Sequence, residues 1–132
     1  MRKFALFALA AAIALPMVGV DVMADAKAVK RGKKVAVKQC VACHDITDAA
    51  QNKVGPPLWG IYGKPTGAVE GYQYSQVHLD KGKADSIIWD DATLDAYIAD
   101  PQAFIPGNKM VYPGVKKEKQ RKNLIEYLKT LK

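Results

Sequence analysis

The chain has 132 residues, a net charge of +7 and only two cysteines. That length holds one domain once a leader is removed, and two cysteines three positions apart close too small a loop for a disulfide to stabilise it much. The basic balance fits acidic proteins, anionic membranes or nucleic acid as partners, and the export signal at the N-terminus argues against the last of these.

Residues 1–24 read as a secretory signal peptide. Arg2 and Lys3 form a basic start, Phe4 to Val20 is an apolar run broken by Pro16 and Gly19, and small residues allow cleavage after Ala24 or Ala26. The run falls short of the roughly 20 apolar residues of a spanning helix, although an uncleaved anchor is the competing reading. Either way residues 25–132 are exported, and no later stretch could cross a bilayer. Removing the leader takes away Arg2, Lys3 and Asp21 and lowers the net charge to +6. It also takes Met1, Met17 and Met23, so Met110 becomes the only methionine, and His44 and His78 are the only histidines.

Lys27 to about Val41 has helical periodicity, with Ala28, Gly32, Val35, Ala36 and Gln39 on one stripe. Gly32 costs about 1 kcal/mol relative to Ala in a helix interior. Close approach of a second helix would justify it, and simple tolerance is the alternative. Cys40-Val41-Ala42-Cys43-His44 follows at once, and this is the attachment pattern of c-type haem. Residues i and i+3 share one side of a helical turn, so both sulfurs can bond one porphyrin edge while the next residue carries its imidazole to the iron. A redox dithiol would want a βαβ context, which is missing. Zinc would need more ligands than His78 can add. If the iron takes two protein ligands, His44 is one. The other falls to Met110, to His78, or less readily to a lysine or tyrosine.

Asp45 to Lys64 is punctuated by Gly55-Pro56-Pro57, Gly60 and Gly63 and reads as irregular. A proline carbonyl there could accept from the His44 ring N–H. Lys64 to Gly82 continues as loop, with a short helix near Ser75 to Asp80. His78, beside Asp80-Lys81, reads as a solvated histidine. Asp90 or Asp91 is a good N-cap for a two-turn helix over Ala92 to Ala99, with Leu94, Tyr97 and Ile98 on one face and Pro101 as its stop. Phe104 to Gly114 is a loop by its prolines and glycines yet strongly apolar, so it must pack onto something. Lys116 to Leu131 is the clearest helix, with Leu124, Ile125, Leu128 and Leu131 in register and Tyr127 beside them. No strand-period run or internal repeat is found.

From about Lys27 onward the chain resembles class I cytochrome c, and closely the bacterial relatives of mitochondrial cytochrome c. The resemblance is carried by Gly32, Cys40 to His44, Val54-Gly55-Pro56-Pro57-Leu58-Trp59-Gly60-Ile61-Tyr62-Gly63, Gly71-Tyr72-Gln73-Tyr74, Ile88-Trp89, Leu94 to Pro101, the loop Phe104 to Val115, and Leu124 to Lys129. It implies an all-α fold of three to five helices around one haem c, bound covalently through two thioethers at Cys40 and Cys43. It implies His44 and Met110 as the iron ligands, Pro56 as the acceptor for the His44 N–H, and Tyr97 as a hydroxyl near the Met110 sulfur. Tyr74 and Trp89 would donate to a buried haem propionate, with Asn108 and Lys64 as further polar contacts. The first and last helices would cross at Gly32 against Leu124 and Tyr127. Three features depart from the family. Ala36 stands where an aromatic residue is usual in that crossing. About four residues are added between Tyr74 and Trp89. Gln39, Gln102 and Ala103 replace lysines that often ring the exposed haem edge, leaving Lys34, Lys53, Lys109, Lys116 and Lys117.

The function expected is that of a soluble, monomeric periplasmic electron carrier with His/Met ligation. It is not an enzyme, it meets the membrane only through partner complexes, and it exchanges single electrons with redox proteins that present acidic docking faces. The competing class is a haem enzyme or gas-binding haem protein with a labile distal ligand.

Overall fold

The structure, a computed structural model, describes residues 25–132; the leader expected over residues 1–24 lies outside them. Five helices follow in order: α1 (Ala26–Gln39), α2 (Gln76–Ala84), α3 (Asp91–Ala99), α4 (Pro101–Phe104) and α5 (Glu118–Leu128). Among the described residues there is no strand, only an isolated antiparallel bridge between Pro65 and Ile88, in line with the all-α expectation.

α1 starts where the Asp25 carboxylate accepts from Lys27 N at 2.9 Å, and it buries Ala28, Gly32 and Ala36 against α5. The crossing is made by the absence of a side chain. A Cβ on Gly32 would fall 1.9 Å from the Asn123 carbonyl oxygen and 2.8 Å from the Tyr127 Cβ. Close helix approach, not tolerance, therefore accounts for Gly32. Ala36 is fully enclosed in the same contact, and its methyl group fills the place of a family aromatic residue.

Local caps set the other helix ends. Asp90 caps α3 with a reciprocal box: Thr93 N donates to Asp90 Oδ1 and Asp90 N donates to Thr93 Oγ1, both at 2.9 Å. The helix thus begins at Asp91, one residue before the expected start. Pro101 ends α3 as expected, with Asp100 before it extended. It also opens α4, because a proline at the first helical position sacrifices only an N–H that has no partner anyway, and the extended Asp100 caps it by accepting from Ala103 N at 3.0 Å. α5 is shorter than expected: Lys116 and Lys117 stay extended, and the chain leaves the helix after Leu128. α2 runs longer than expected, to Ala84, and its buried positions are His78 and Gly82.

The core gathers Ile61, Ile87, Trp89, Leu94, Ile98, Val115, Leu124, Ile125, Leu128 and Leu131 around the α1–α5 crossing. Arg121 ties three pieces together. Its fork holds Asp95 on α3 at 2.8 and 3.2 Å, and its Nη1 donates to the Val115 and Lys116 carbonyls at 3.0 and 3.1 Å. This clamp fixes the end of the long apolar loop between α4 and α5.

Candidate functional site

A cavity of about 310 Å³ opens beside the core. Its wall is built from segments far apart in sequence: Cys40, Cys43 and His44 after α1, Val54 to Leu58, Tyr72 to Ser75, His78 on α2, Trp89, Leu94 and Tyr97 on α3, and Asn108 to Val115. Both thiols are unbridged. Burial, and after it the neighbouring Cys43, pushes the Cys40 thiol up to about 11. A redox dithiol works through a lowered thiol pKa, so this environment is opposed to thioredoxin-like chemistry. No group of three or more His, Cys, Asp or Glu able to hold a metal ion occurs among the described residues.

The turn after α1 is closed by Cys43 N and His44 N donating to the Cys40 carbonyl at 3.0 and 2.9 Å. It delivers the His44 ring to Pro56, whose carbonyl oxygen lies 2.7 Å from Nδ1. A carbonyl only accepts, so Nδ1 carries the proton and Nε2 offers its lone pair. Burial lowers the His44 pKa, with the Pro56 hydrogen bond acting the other way, and a neutral imidazole is the form that binds a metal. Gly55 lies flat under this ring: a Cβ there would meet His44 Cε1 at 2.3 Å.

Met110 comes from the opposite end of the chain and is held by its own loop. Its N–H donates to Asn108 Oδ1 at 2.7 Å, while Asn108 Nδ2 donates to the Pro101 and Ile105 carbonyls at 2.8 and 2.7 Å. Asn108 was expected as a polar contact of the cofactor. It lines the cavity, but its amide is committed to the backbone and its work is to fix the loop. Gln102, noticed in the sequence only as a missing lysine, is the second staple. Its Nε2 donates to the Asn108 and Met110 carbonyls at 3.0 and 3.2 Å, and its Oε1 accepts from Gly107 N at 3.1 Å. Gln39 likewise receives the Tyr112 hydroxyl and so links the end of α1 to this loop. No local pattern marks such side-chain-to-backbone ties.

The expected propionate donors Tyr74 and Trp89 both line the cavity, as does Tyr97. Burial raises the phenol pKa of Tyr74 and of Tyr97, the latter far above the ordinary value. Lys64 does not join them: it is exposed and outside the wall. His78, expected to be solvated, is 6 % exposed and faces the cavity. Asp80 and Lys81, which made its surroundings look polar, point away from it into solvent pairs, Asp80 with Gln76 and Lys81 with Asp85.

The residues fit a haem. Two unbridged thiols, an imidazole with a free lone pair and a thioether line one cavity together with apolar side chains. Ser75 Oγ and His78 Nε2 are buried in the same wall with no partner in the protein, as expected where a polar occupant belongs.

The family model described as cytochrome c matches residues 29–132. Cytochrome c2 iso-2 of Magnetospirillum molischianum is 47% identical over 93 residues, 70% of this chain and 91% of that protein. Cytochrome c2 of Blastochloris viridis is 43% identical over 131 residues, 98% of this chain and 93% of its own. Cytochrome c-550 of Nitrobacter winogradskyi is 47% identical over 95 residues, 72% and 84% of the two chains.

Proposed function

The chain belongs to the cytochrome c family, and from that premise we propose that it is a soluble periplasmic carrier that shuttles one electron at a time between membrane-bound or periplasmic redox enzymes. It is a haem electron carrier and not an enzyme, and its cofactor is haem c. The finer reading is that Cys40 and Cys43 hold the haem through thioethers, that His44 Nε2 and the Met110 sulfur ligate the iron, and that residues 1–24 are removed after Ala24 or Ala26.

One observation carries the site assignment: a single cavity gathers both thiols, His44 and Met110 from opposite ends of the chain. The haem supplies a one-electron iron couple. The chain decides how that couple behaves. Pro56 keeps the His44 ring in one tautomer and orientation. Asn108 and Gln102 hold the Met110 loop, so the thioether stays in place and leaves little room for an outside ligand. A soft thioether favours the ferrous state, and an apolar wall penalises the extra charge of the ferric state. Both raise the potential. The match to the Blastochloris cytochrome, at 131 residues, takes in most of the leading segment and supports export.

Mass spectrometry of protein expressed with haem-attachment machinery tests this. Expected is a chain starting at residue 25 or 27 plus one haem, with both cysteines consumed. Free thiols, or haem extractable by acid acetone, would overturn it. Ferrous protein that bound carbon monoxide at neutral pH would favour the gas-binding class, because a held methionine excludes it.

A further inference from the structure

Tyr112 and Gln39 are 73 residues apart in the chain, and the phenol O–H of the first donates to Oε1 of the second. Both side chains are half-buried and both line the cavity. The loop that carries Met110 is fastened on either side of this bond. Lys109 is held on the Gln73 carbonyl at 2.8 Å. Gly114 lies against α3, where a Cβ would fall 2.1 Å from the Ala99 carbonyl oxygen, and Val115 N donates to the Ile98 carbonyl at 2.9 Å. Gln102 adds a tie to the Met110 carbonyl, and Arg121 one to the Val115 carbonyl. All of these draw the loop toward α3, α4, α5 and the segment before α2. Among the described residues, the Tyr112–Gln39 bond is the only hydrogen bond that joins residues 105–115 to residues 25–64, the part of the chain that supplies both thiols and His44.

Val111 and Pro113 are exposed, so neither side chain anchors the segment Val111–Pro113. The task falls to Tyr112, whose ring packs against the core and whose hydroxyl reaches α1. Tyr112 N donates to the Met110 carbonyl at 3.0 Å, so one tight turn joins the phenol to the thioether residue. At the other end, Gln39 is the last residue of α1 and directly precedes Cys40, whose N–H closes the helix on the Ala36 carbonyl at 2.8 Å. A glutamine suits this place because its amide oxygen accepts, whereas a lysine carries donors only.

We propose that Tyr112 and Gln39 form a latch across the cavity mouth, two positioning residues that hold Met110 against displacement by small outside ligands. The proposal rests on the ligation reading above. Opening the latch frees Val111–Pro113 from α1 while the ties at Lys109 and Val115 stay closed. Such an opening is local and costs less than unfolding, and it lets the Met110 turn shift without the core coming apart. A hydrogen bond between side chains is worth roughly a factor of two to ten in an equilibrium, and its loss raises the open population by that factor.

Imidazole binding to the ferric holoprotein tests this in wild type, Tyr112→Phe, Gln39→Met and the double variant, with a thermal melt of each. Phe keeps the ring and Met keeps the length, so each single variant removes one partner of the bond. Expected is an imidazole affinity raised about two- to tenfold in either single variant, no further gain in the double variant, because both residues act through one bond, and melts close to wild type. Unchanged affinity in the single variants, or gains that multiply in the double variant, would overturn the proposal. Lowered melts with unchanged affinity would make the bond a structural tie only and overturn it too. Amide exchange gives a reading that needs no added ligand. Tyr112 N–H, on the Met110 carbonyl, should exchange faster in both single variants, and Val115 N–H, on the Ile98 carbonyl, at the wild-type rate. Equal acceleration at both sites, or none at either, counts against the latch. A preparation without a covalent haem spectrum, or a wild type that binds imidazole as readily as Met110→Ala does, would instead sink the haem and ligation readings, so the two failures are distinguishable.

Discussion

On the ligation proposed above, Met110 is the residue on which the electronic character of the site turns. It is the only methionine of residues 25–132, so once the proposed leader is cleaved nothing of the same chemistry can replace it. Axial ligands set haem potentials over roughly 0.8 V, so Met110→Ala should lower the potential by on the order of 0.1 V or more. It should also open the iron to added imidazole or cyanide. An unchanged spectrum and potential would refute the assignment. Asn108 makes the complementary case. Asn108→Ala removes the acceptor of the Met110 N–H and the side-chain donor to the Pro101 and Ile105 carbonyls, which keep only their backbone donors. The thioether should remain but be displaced more readily, seen as tighter cyanide binding to the ferric protein with a smaller change in potential than Met110→Ala gives. Equal cyanide affinity in Asn108→Ala and wild type would show that the loop is held by other means.

The α1–α5 crossing is the clearest case in which two opposing effects can be ranked. Gly32→Ala gains about 1 kcal/mol of helix propensity, but its methyl group would sit 1.9 Å from a backbone oxygen that cannot rotate away. Overpacking of this kind costs about 1–3 kcal/mol or more, so the clash wins. The variant should unfold several degrees lower in a thermal melt, and a melt at or above the wild-type temperature would mean that the helices separate easily. The two helices were legible in their regular apolar stripes, their crossing at Gly32 only through the family resemblance, and the haem pattern was legible because its chemistry demands a fixed spacing. What stayed hidden had no periodic signal. The inward face of α2 consists of His78 and Gly82 alone, with no apolar stripe to reveal it, so His78 read as solvated. Pro101 read only as the stop of α3, because its second role, at the first position of α4, depends on Asp100 being extended. Gln102 and Asn108 act through backbone carbonyls, whose positions exist only once the loop has folded.

At the scale of the whole molecule the question is how a basic protein meets its partners. Val54 and Val111 line the cavity and are strongly exposed, Val111 at 97 %, and Cys43 beside them is exposed as well. This apolar mouth is the natural centre of contact for an electron carrier, which must bind and leave quickly through a small, wet interface below about 1,200 Å². Steering then falls to Lys34, Lys53, Lys109, Lys116 and Lys117, which are not equal. Lys116 lies 3.5 Å from Asp100, so part of its field is cancelled. Lys109 is anchored on the Gln73 carbonyl, which fixes its charge next to the Met110 loop. Lys34 is exposed on α1 with no ion pair among the described residues. Long-range attraction acts mainly on the association rate and is screened over about 8–10 Å at ordinary ionic strength. The second-order rate with an acidic partner should therefore fall as salt rises. Lys109→Glu and Lys34→Glu should each slow it several-fold at low salt, with little effect at high salt, whereas Lys116→Ala should change it less. Stopped-flow rates over a salt series, with the potential of each variant measured alongside, decide the matter. Slower transfer with an unchanged potential assigns the loss to docking. A flat salt response in wild type and variants alike would leave the basic face a solvated surface and put the whole of recognition on the apolar mouth.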